Sequence, residues 1–243
     1  MTFAALALWL ALGASCPPEA DAQLREADAR AGALDLEGAL AQYRSAGAAG
    51  CDEAAEIATY LEALAAARAA YALGGPVDAL APVRALAASI GARSGGAPGA
   101  LELQRLLLLA AAAAAQSERE EMRLLLDHAT TMEALLVAGG QPAAPVVPAH
   151  VLAGELWLQV HRYEDARGAF ERAAETTGSS LRVRLGLARA LARLGDTAGA
   201  CRAYAAVEGP GGAGAAGAGP AAMLAQARAE AATFRRTRCE GLS

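Results

Sequence analysis

Three arginines in the last third of the chain have a type and a spacing suited to binding anions. Arg182, Arg189 and Arg193 are seven and four residues apart, so they share one face of a helix. Guanidinium groups bind carboxylates through paired hydrogen bonds, and three of them could hold an acidic peptide or a chain terminus. The alternative is a solvated arginine face, because the 21 basic residues of this chain are all arginine.

Four cysteines could form two disulfides, and three pairings are possible. Cys16 precedes the first predicted helix pair and Cys51 follows it, so the two lie side by side. Cys201 begins a later helix, and Cys239 ends the helix that should run antiparallel to it. We therefore expect the disulfides Cys16–Cys51 and Cys201–Cys239, each stabilising by about 3–4 kcal/mol in an oxidising compartment. Buried free thiols are the alternative.

The first 15 residues resemble a secretory signal peptide. An apolar run from Phe3 to Ala14 precedes small residues and Cys16, and it is shorter than the roughly 20 residues of a spanning helix. We expect export to the periplasm or cell envelope; a buried first helix is the alternative. Residues 12–16 also resemble a bacterial lipoprotein signal, in which Cys16 would carry a lipid anchor. Lipidation of Cys16 would exclude its disulfide with Cys51.

The sequence has no motif that indicates catalysis. Nucleophile elbows, Walker A loops, C-x-x-C pairs and H-E-x-x-H are absent from the 243 residues. Residues 212–217 match the G-x-G-x-x-G pattern, but a predicted helix precedes them, which favours a flexible linker over a dinucleotide site. We expect no catalytic residue, no metal and no cofactor. An enzyme whose residues meet only on folding is the alternative.

Composition indicates an all-α protein. Hydrophobic residues make up 55% of the chain, many of them alanine, and aromatic residues only 4%. Alanine has the highest helix propensity, and alternating runs rich in valine and isoleucine are absent. The net charge of −5 and the lack of a long basic stripe argue against general nucleic-acid binding.

Periodicity and helix-breaking residues predict eleven helices. They cover 19–31, 34–48, 51–74, 76–92, 99–116, 118–138, 148–161, 163–176, 181–194, 197–207 and 220–238. Residues 107–115 carry no charge on any face, so we expect this segment to be the most buried. Ser117 and Glu120 have the spacing of a capping box at a helix start.

A set of small and large residues recurs after 34 residues. Each set consists of a small residue, a second small residue twelve positions later and a large residue four positions after that. The small residues let two antiparallel helices approach, and the large residue fills the space between them. The two sets are Gly154, Ala166 and Phe170, and then Ala188, Ala200 and Tyr204. A repeat of this length is typical of helical solenoids, which mostly bind other proteins.

Residues 147–207 resemble two consecutive tetratricopeptide repeats. The matching segments are GELWLQVHRYEDARGAFERAAE and ARALARLGDTAGACRAYAAVE. The proline that usually ends each repeat is missing, and Gly178 stands there in the first. We divide the chain into a signal peptide (1–15), a degenerate helical-repeat region (16–139), two repeats (148–207), a glycine-rich loop (208–220) and a capping helix (221–239).

The resemblance implies a right-handed superhelical solenoid whose first helices line a concave groove that binds peptides or other proteins. It places the arginine face in that groove. The partner-binding residues that it implies are Glu155, Gln159, Arg182, Leu185, Arg189 and Arg193. We therefore expect a non-catalytic interaction scaffold whose partner is another protein or an acidic peptide. The alternative is a lipid-anchored structural component of the envelope, with Cys16 as the lipidation site.

Overall fold

The computed structural model describes residues 16–18, 20–32, 36–72, 74, 76–140, 147–208 and 221–239. Within these ranges the chain forms eleven α-helices and no strand, which confirms the predicted all-α class. The helices are α1 (Asp21–Gly32), α2 (Leu36–Ala48), α3 (Asp52–Ala72), α4 (Val77–Ser94), α5 (Ala100–Ala115), α6 (Arg119–Ala138), α7 (Ala149–Gln159), α8 (Tyr163–Thr177), α9 (Leu181–Leu194), α10 (Thr197–Glu208) and α11 (Ala221–Arg238). The predicted signal peptide and residues 209–220 of the predicted loop lie outside the described residues.

The helix ends lie close to their predicted positions because glycine, proline and serine mark them. α9 shows this best. The Ser180 hydroxyl accepts a hydrogen bond of 3.3 Å from the backbone N–H of Val183 and caps the start of the helix. Gly195 ends the helix in the left-handed conformation, with φ of 80°. These two residues set the length of the helix that carries the arginine face.

The predicted capping box at Ser117 is wrong. α6 begins at Arg119 after Glu118, and no side chain caps it. Ser117 has φ of 60°, and its backbone N–H donates to the carbonyl of Ala114, so it closes the end of α5. An N-cap residue has extended backbone dihedrals. Ser117 cannot end one helix in the left-handed region and also cap the next.

The chain divides into two compact units. The first contains Met1–Asp28 and Ala39–Ala149, and the second contains Ala29–Gly38 and His150–Ser243.

α5 is the central helix of the first unit. It packs against α3, α4 and α6, and 12 of its 16 residues are buried. From Leu107 to Ala115 only Leu109 is not fully buried, as the absence of charge predicted. Alanine side chains allow neighbouring helices to approach closely, so α5 packs against three other helices at once.

The second unit is a succession of packed helices. α8 packs against α9, α9 against α10, and α10 against α11. The hydrophobic cluster at its C-terminal end joins three of them. Its buried members are Ala188, Ala200, Tyr204, Val207, Ala227 and Ala231, with Phe234 packed against them. α11 thus covers apolar side chains of α9 and α10.

Candidate partner-binding surface

The repeated small and large residues interlock the helices that carry the candidate site. The ring of Phe170 on α8 lies against Gly154 on α7 and Gly186 on α9. A Cβ atom at Gly154 would lie 2.7 Å from Cζ of Phe170, and one at Gly186 would overlap the ring still more. Glycine is therefore required at both positions, and one aromatic ring sets the approach of both α7 and α9 to α8.

Tyr204 is the corresponding residue of the second repeat. Its ring is 3% exposed, and its centroid lies 4.7 Å from that of Phe234 on α11. Its hydroxyl donates a hydrogen bond of 2.8 Å to Oε1 of Glu230. The aromatic position of the repeat therefore packs α11 against α10 and also orients a carboxylate beside α9.

Arg182 forms an ion pair with Glu155. The guanidinium of Arg182 makes two hydrogen bonds to the carboxylate, one of them 2.7 Å long between Nη2 and Oε2. Only 15% of the Arg182 side chain and 11% of the Glu155 side chain are exposed. Burial lowers the pKa of Arg182, but the negative charge of Glu155 and the hydrogen bonds to it outweigh this effect. The net result is that the pKa of Arg182 is raised. The pair joins α9 to α7.

Arg189 forms a second ion pair, with Glu230 on α11. Its Nε donates to Oε1 at 2.8 Å, and Nη2 donates to Oε2 at 2.5 Å. Burial raises the pKa of Glu230, whereas the hydrogen bonds from Arg189 and Tyr204 lower it, and the net shift is downward. For Tyr204, burial and the hydrogen bond to Glu230 raise the pKa. Glu230 is thus held as a carboxylate between a guanidinium and a phenol.

Arg193 differs from the other two arginines. It is exposed, and no carboxylate of the described residues lies within ion-pair distance of it. Burial raises the pKa of Tyr204, and the positive charge of Arg193 opposes this shift. Of the three predicted anion-binding residues, Arg193 is therefore the one with an unengaged guanidinium in this part of the chain.

Gln159 and Leu185, the two uncharged residues of the predicted binding set, are both partly buried. Nε2 of Gln159 is buried and has no hydrogen-bond partner among the described residues. Leu185 is partly buried and packs against the hydrophobic cluster of α9, α10 and α11. Both residues keep part of their surface exposed, and their role in binding stays a prediction.

The four cysteines lie as two close pairs. The Cα atoms of Cys16 and Cys51 are 4.5 Å apart, and those of Cys201 and Cys239 are 6.0 Å apart; both pairs are at disulfide distance. This arrangement is compatible with the predicted pairing. The second pair attaches the end of α11 to the start of α10.

No group of three or more potential metal ligands occurs among the described residues. No helix in the described ranges has both the length and the apolar character needed to cross a membrane. Nδ1 of His161 lies 2.9 Å from the Tyr163 hydroxyl.

Comparison with known proteins gives no match to a family, to a curated protein or to a solved structure. The tetratricopeptide resemblance of residues 147–207 therefore stays a prediction.

Sequence reasoning did not identify Glu230 and Tyr204 as members of this site. Glu230 is 41 residues from Arg189 and lies on a helix that was expected only to cap the repeats. Tyr204 had been assigned to packing alone. One signal was present, because Glu230 lies just one helical turn from the apolar residues that α11 buries.

Proposed function

We propose that this chain is a non-catalytic interaction scaffold of tetratricopeptide-like helix pairs that binds a segment of another protein. The binding surface is the arginine face of α9 together with the adjoining residues of α7 and α11. Residues 148–207 form the two repeats, and α11 caps them. We expect these two repeats to wind in the right-handed sense of tetratricopeptide proteins, with α7 and α9 on the concave side.

The proposal rests on two ion pairs that arginines of α9 form with other helices. Arg182 reaches Glu155 on α7, and Arg189 reaches Glu230 on α11. In the proposed arrangement α7, α9 and α11 are the first helices of successive pairs, and the two ion pairs link them in that order. In helical-repeat proteins, the first helices of neighbouring repeats together form the peptide-binding groove.

The three arginines have different roles in the proposed binding. Arg182 is largely buried with Glu155, so it holds α7 and α9 together. Arg193 is free to contact an acidic side chain or a terminal carboxylate of the partner. Arg189 is 44% exposed, and ion pairs this exposed contribute only about 0–1 kcal/mol, so a partner carboxylate can share it with Glu230.

The proposed location is the bacterial cell envelope. The two cysteine pairs at disulfide distance support an oxidising, exported environment. The proximity of Cys16 to Cys51 favours a disulfide at Cys16 over the alternative lipid anchor, since one sulfur cannot do both. Intact-mass measurement of the protein purified from membranes distinguishes them: a lipidated Cys16 adds the mass of acyl chains and leaves Cys51 open to alkylation.

Charge reversal on α9 tests the proposed surface. Replacing all three arginines by glutamate should abolish capture of the partner, but Arg182→Glu would also set two carboxylates together at a nearly buried position. The sharper variant is Arg189→Glu with Arg193→Glu, compared with Arg202→Glu on α10 as the matched control. We expect wild type and the control to enrich the same protein from envelope extract, and the double variant to lose it.

Equal capture by the double variant and wild type would overturn the proposal. Thermal unfolding of each variant shows whether a loss of capture reflects a loss of folding. A charge swap, Glu155→Arg with Arg182→Glu, preserves the α7–α9 pair and should retain binding if Arg182 has only its structural role.

A further inference from the structure

Two arginines line a cavity in the first unit, and hydrogen bonds to neighbouring side chains hold both of them in position. It lies between α4 and α5 and has a volume of about 330 Å³. Its polar lining comes from Arg84, Glu102 and Arg105, and its apolar lining includes Ala87, Ala88 and Leu109. None of these residues belongs to the partner-binding surface of the second unit.

Glu102 fixes the orientation of Arg105. Nε and Nη2 of Arg105 donate hydrogen bonds of 2.8 and 2.5 Å to the two carboxylate oxygens of Glu102. The Ser94 hydroxyl donates a further hydrogen bond of 3.3 Å to Oε2 of Glu102. Glu102 is only 5% exposed. The bonds from Arg105 outweigh burial and lower the pKa of Glu102, so it stays ionised. This pairing uses one edge of the guanidinium and leaves the N–H groups of Nη1 for a ligand.

Gly91 makes room for Arg105 in this position. A Cβ atom there would lie 2.9 Å from Cδ of Arg105, closer than side chains approach one another. Gly91 lies on α4 directly across from Arg105, so its missing side chain lets the arginine lie across the helix surface. The position of the guanidinium thus depends on residues from both helices.

Arg84 brings a positive charge that no residue of the cavity neutralises. Its Nη2 donates to the side-chain oxygen of Gln116, which is a neutral acceptor. Among the described residues that line the cavity, Glu102 is the one carboxylate, and it is paired with Arg105. Two arginines and one glutamate leave the lining with a net charge of +1. The site therefore matches an anion of charge −1.

We propose that this cavity binds a small monocarboxylate with an apolar body. The carboxylate lies between Arg84 and the Nη1 edge of Arg105, where charge-assisted hydrogen bonds are strongest. The apolar part lies against Ala87, Ala88 and Leu109. A free organic acid and the C-terminal carboxylate of a peptide share this chemistry.

Titration of the full-length protein with hexanoate tests the site, with neutral hexanamide as the matched ligand. The readout is the NMR shift of the arginine Nε–Hε signals. We expect hexanoate to shift the signals of Arg84 and Arg105 with saturation, and hexanamide to leave them unchanged. Arg84→Gln should weaken hexanoate binding about tenfold or more, whereas Arg93→Gln, on the same helix but outside the cavity, should not.

A second variant tests the geometry without changing the charge. Gly91→Ala should displace Arg105 and weaken hexanoate binding while the thermal unfolding of the protein stays cooperative. If Gly91→Ala does not fold, Arg84→Gln decides the outcome alone. The proposal is overturned if hexanoate gives no saturable shift, if hexanamide binds equally well, or if Arg84→Gln binds hexanoate as wild type does.

A parallel titration distinguishes the two sources of the carboxylate. It uses trialanine with a free C-terminus and the same peptide with an amidated one. Tighter binding of the free peptide than of hexanoate assigns the site to a chain terminus, and weaker binding assigns it to a free organic acid. Equal binding of the two peptides contradicts recognition of a terminal carboxylate.

Discussion

At the scale of single residues, the ring of Phe170 explains why two glycines occur inside helices, where glycine is unfavourable. Gly154 and Gly186 touch the same ring from two different helices. A helix-interior glycine costs about 0.5–1 kcal/mol relative to alanine. The close packing that the glycines permit must outweigh this cost, which makes their replacement a sensitive probe of the repeat.

Gly186→Ala should lower the free energy of unfolding by about 1–3 kcal/mol, because the added Cβ overlaps the Phe170 ring. Gly168→Ala is the matched control. Its Cβ would meet only the flexible end of Arg172 at 3.6 Å, so it should be neutral or raise stability by about 0.5–1 kcal/mol. Urea unfolding measures both. Equal effects of the two substitutions would show that Phe170 does not pack as described.

The ionisation of Glu230 should make the free energy of unfolding depend on pH in the acid range. Its pKa in the folded protein is lowered from 4.5, so its contribution is complete above that value and is lost as the pH falls through the folded-state pKa. Glu230→Gln should therefore be less stable than wild type at pH 7, and the difference should shrink toward pH 3. Glu171→Gln, an exposed site in the same unit, is the control and should show little difference at either pH. An unchanged difference between pH 7 and pH 3 would exclude this role of Glu230.

At the scale of elements, α9 and α11 are held by different means. α9 is defined locally, by the Ser180 cap and the left-handed Gly195. α11 follows a glycine-rich segment and is attached by tertiary contacts: the apolar cluster around Tyr204, the Arg189–Glu230 pair and the approach of Cys239 to Cys201. α11 is therefore the helix whose position depends most on distant residues.

Removing the second cysteine pair should loosen α11. Replacing Cys201 and Cys239 together by alanine should lower the free energy of unfolding by about 3–4 kcal/mol, because the bond closes a loop across a separation of 38 residues. Urea unfolding of the oxidised proteins measures this difference. In excess reductant the difference should largely disappear. Rapid alkylation of Cys201 in the native, oxidised protein would show instead that the thiols are free.

At the scale of the whole molecule, the sequence predicted the helices far better than it predicted the side-chain partners. Alanine-rich runs punctuated by glycine and proline define the helix ends, so the eleven helices of the described residues lie close to their expected positions. The prediction for Ser117 was wrong because a serine between two helices can either end the first or cap the second. Both cases give the same sequence pattern. The partners of Arg182 and Arg189 depend on how the helices stack, which local spacing does not contain.

The ion pairs changed how the arginine face is interpreted. Sequence spacing treated Arg182, Arg189 and Arg193 as equivalent. Folding pairs the first with Glu155 and the second with Glu230, so that among the described residues Arg193 is the one of the three without a carboxylate partner. The proposed interaction surface is consequently centred at the C-terminal end of α9, beside Tyr204 and Glu230.

Site-specific photo-crosslinking tests the central claim most directly. A photo-reactive amino acid is introduced at position 193 on α9 or, as the control, at position 202 on α10, and cells that express each protein are irradiated. A partner bound across the first helices should give one discrete crosslinked product from position 193 and none from position 202. Products from position 202 alone, or the same products from both positions, would contradict the account of α9 as the binding surface.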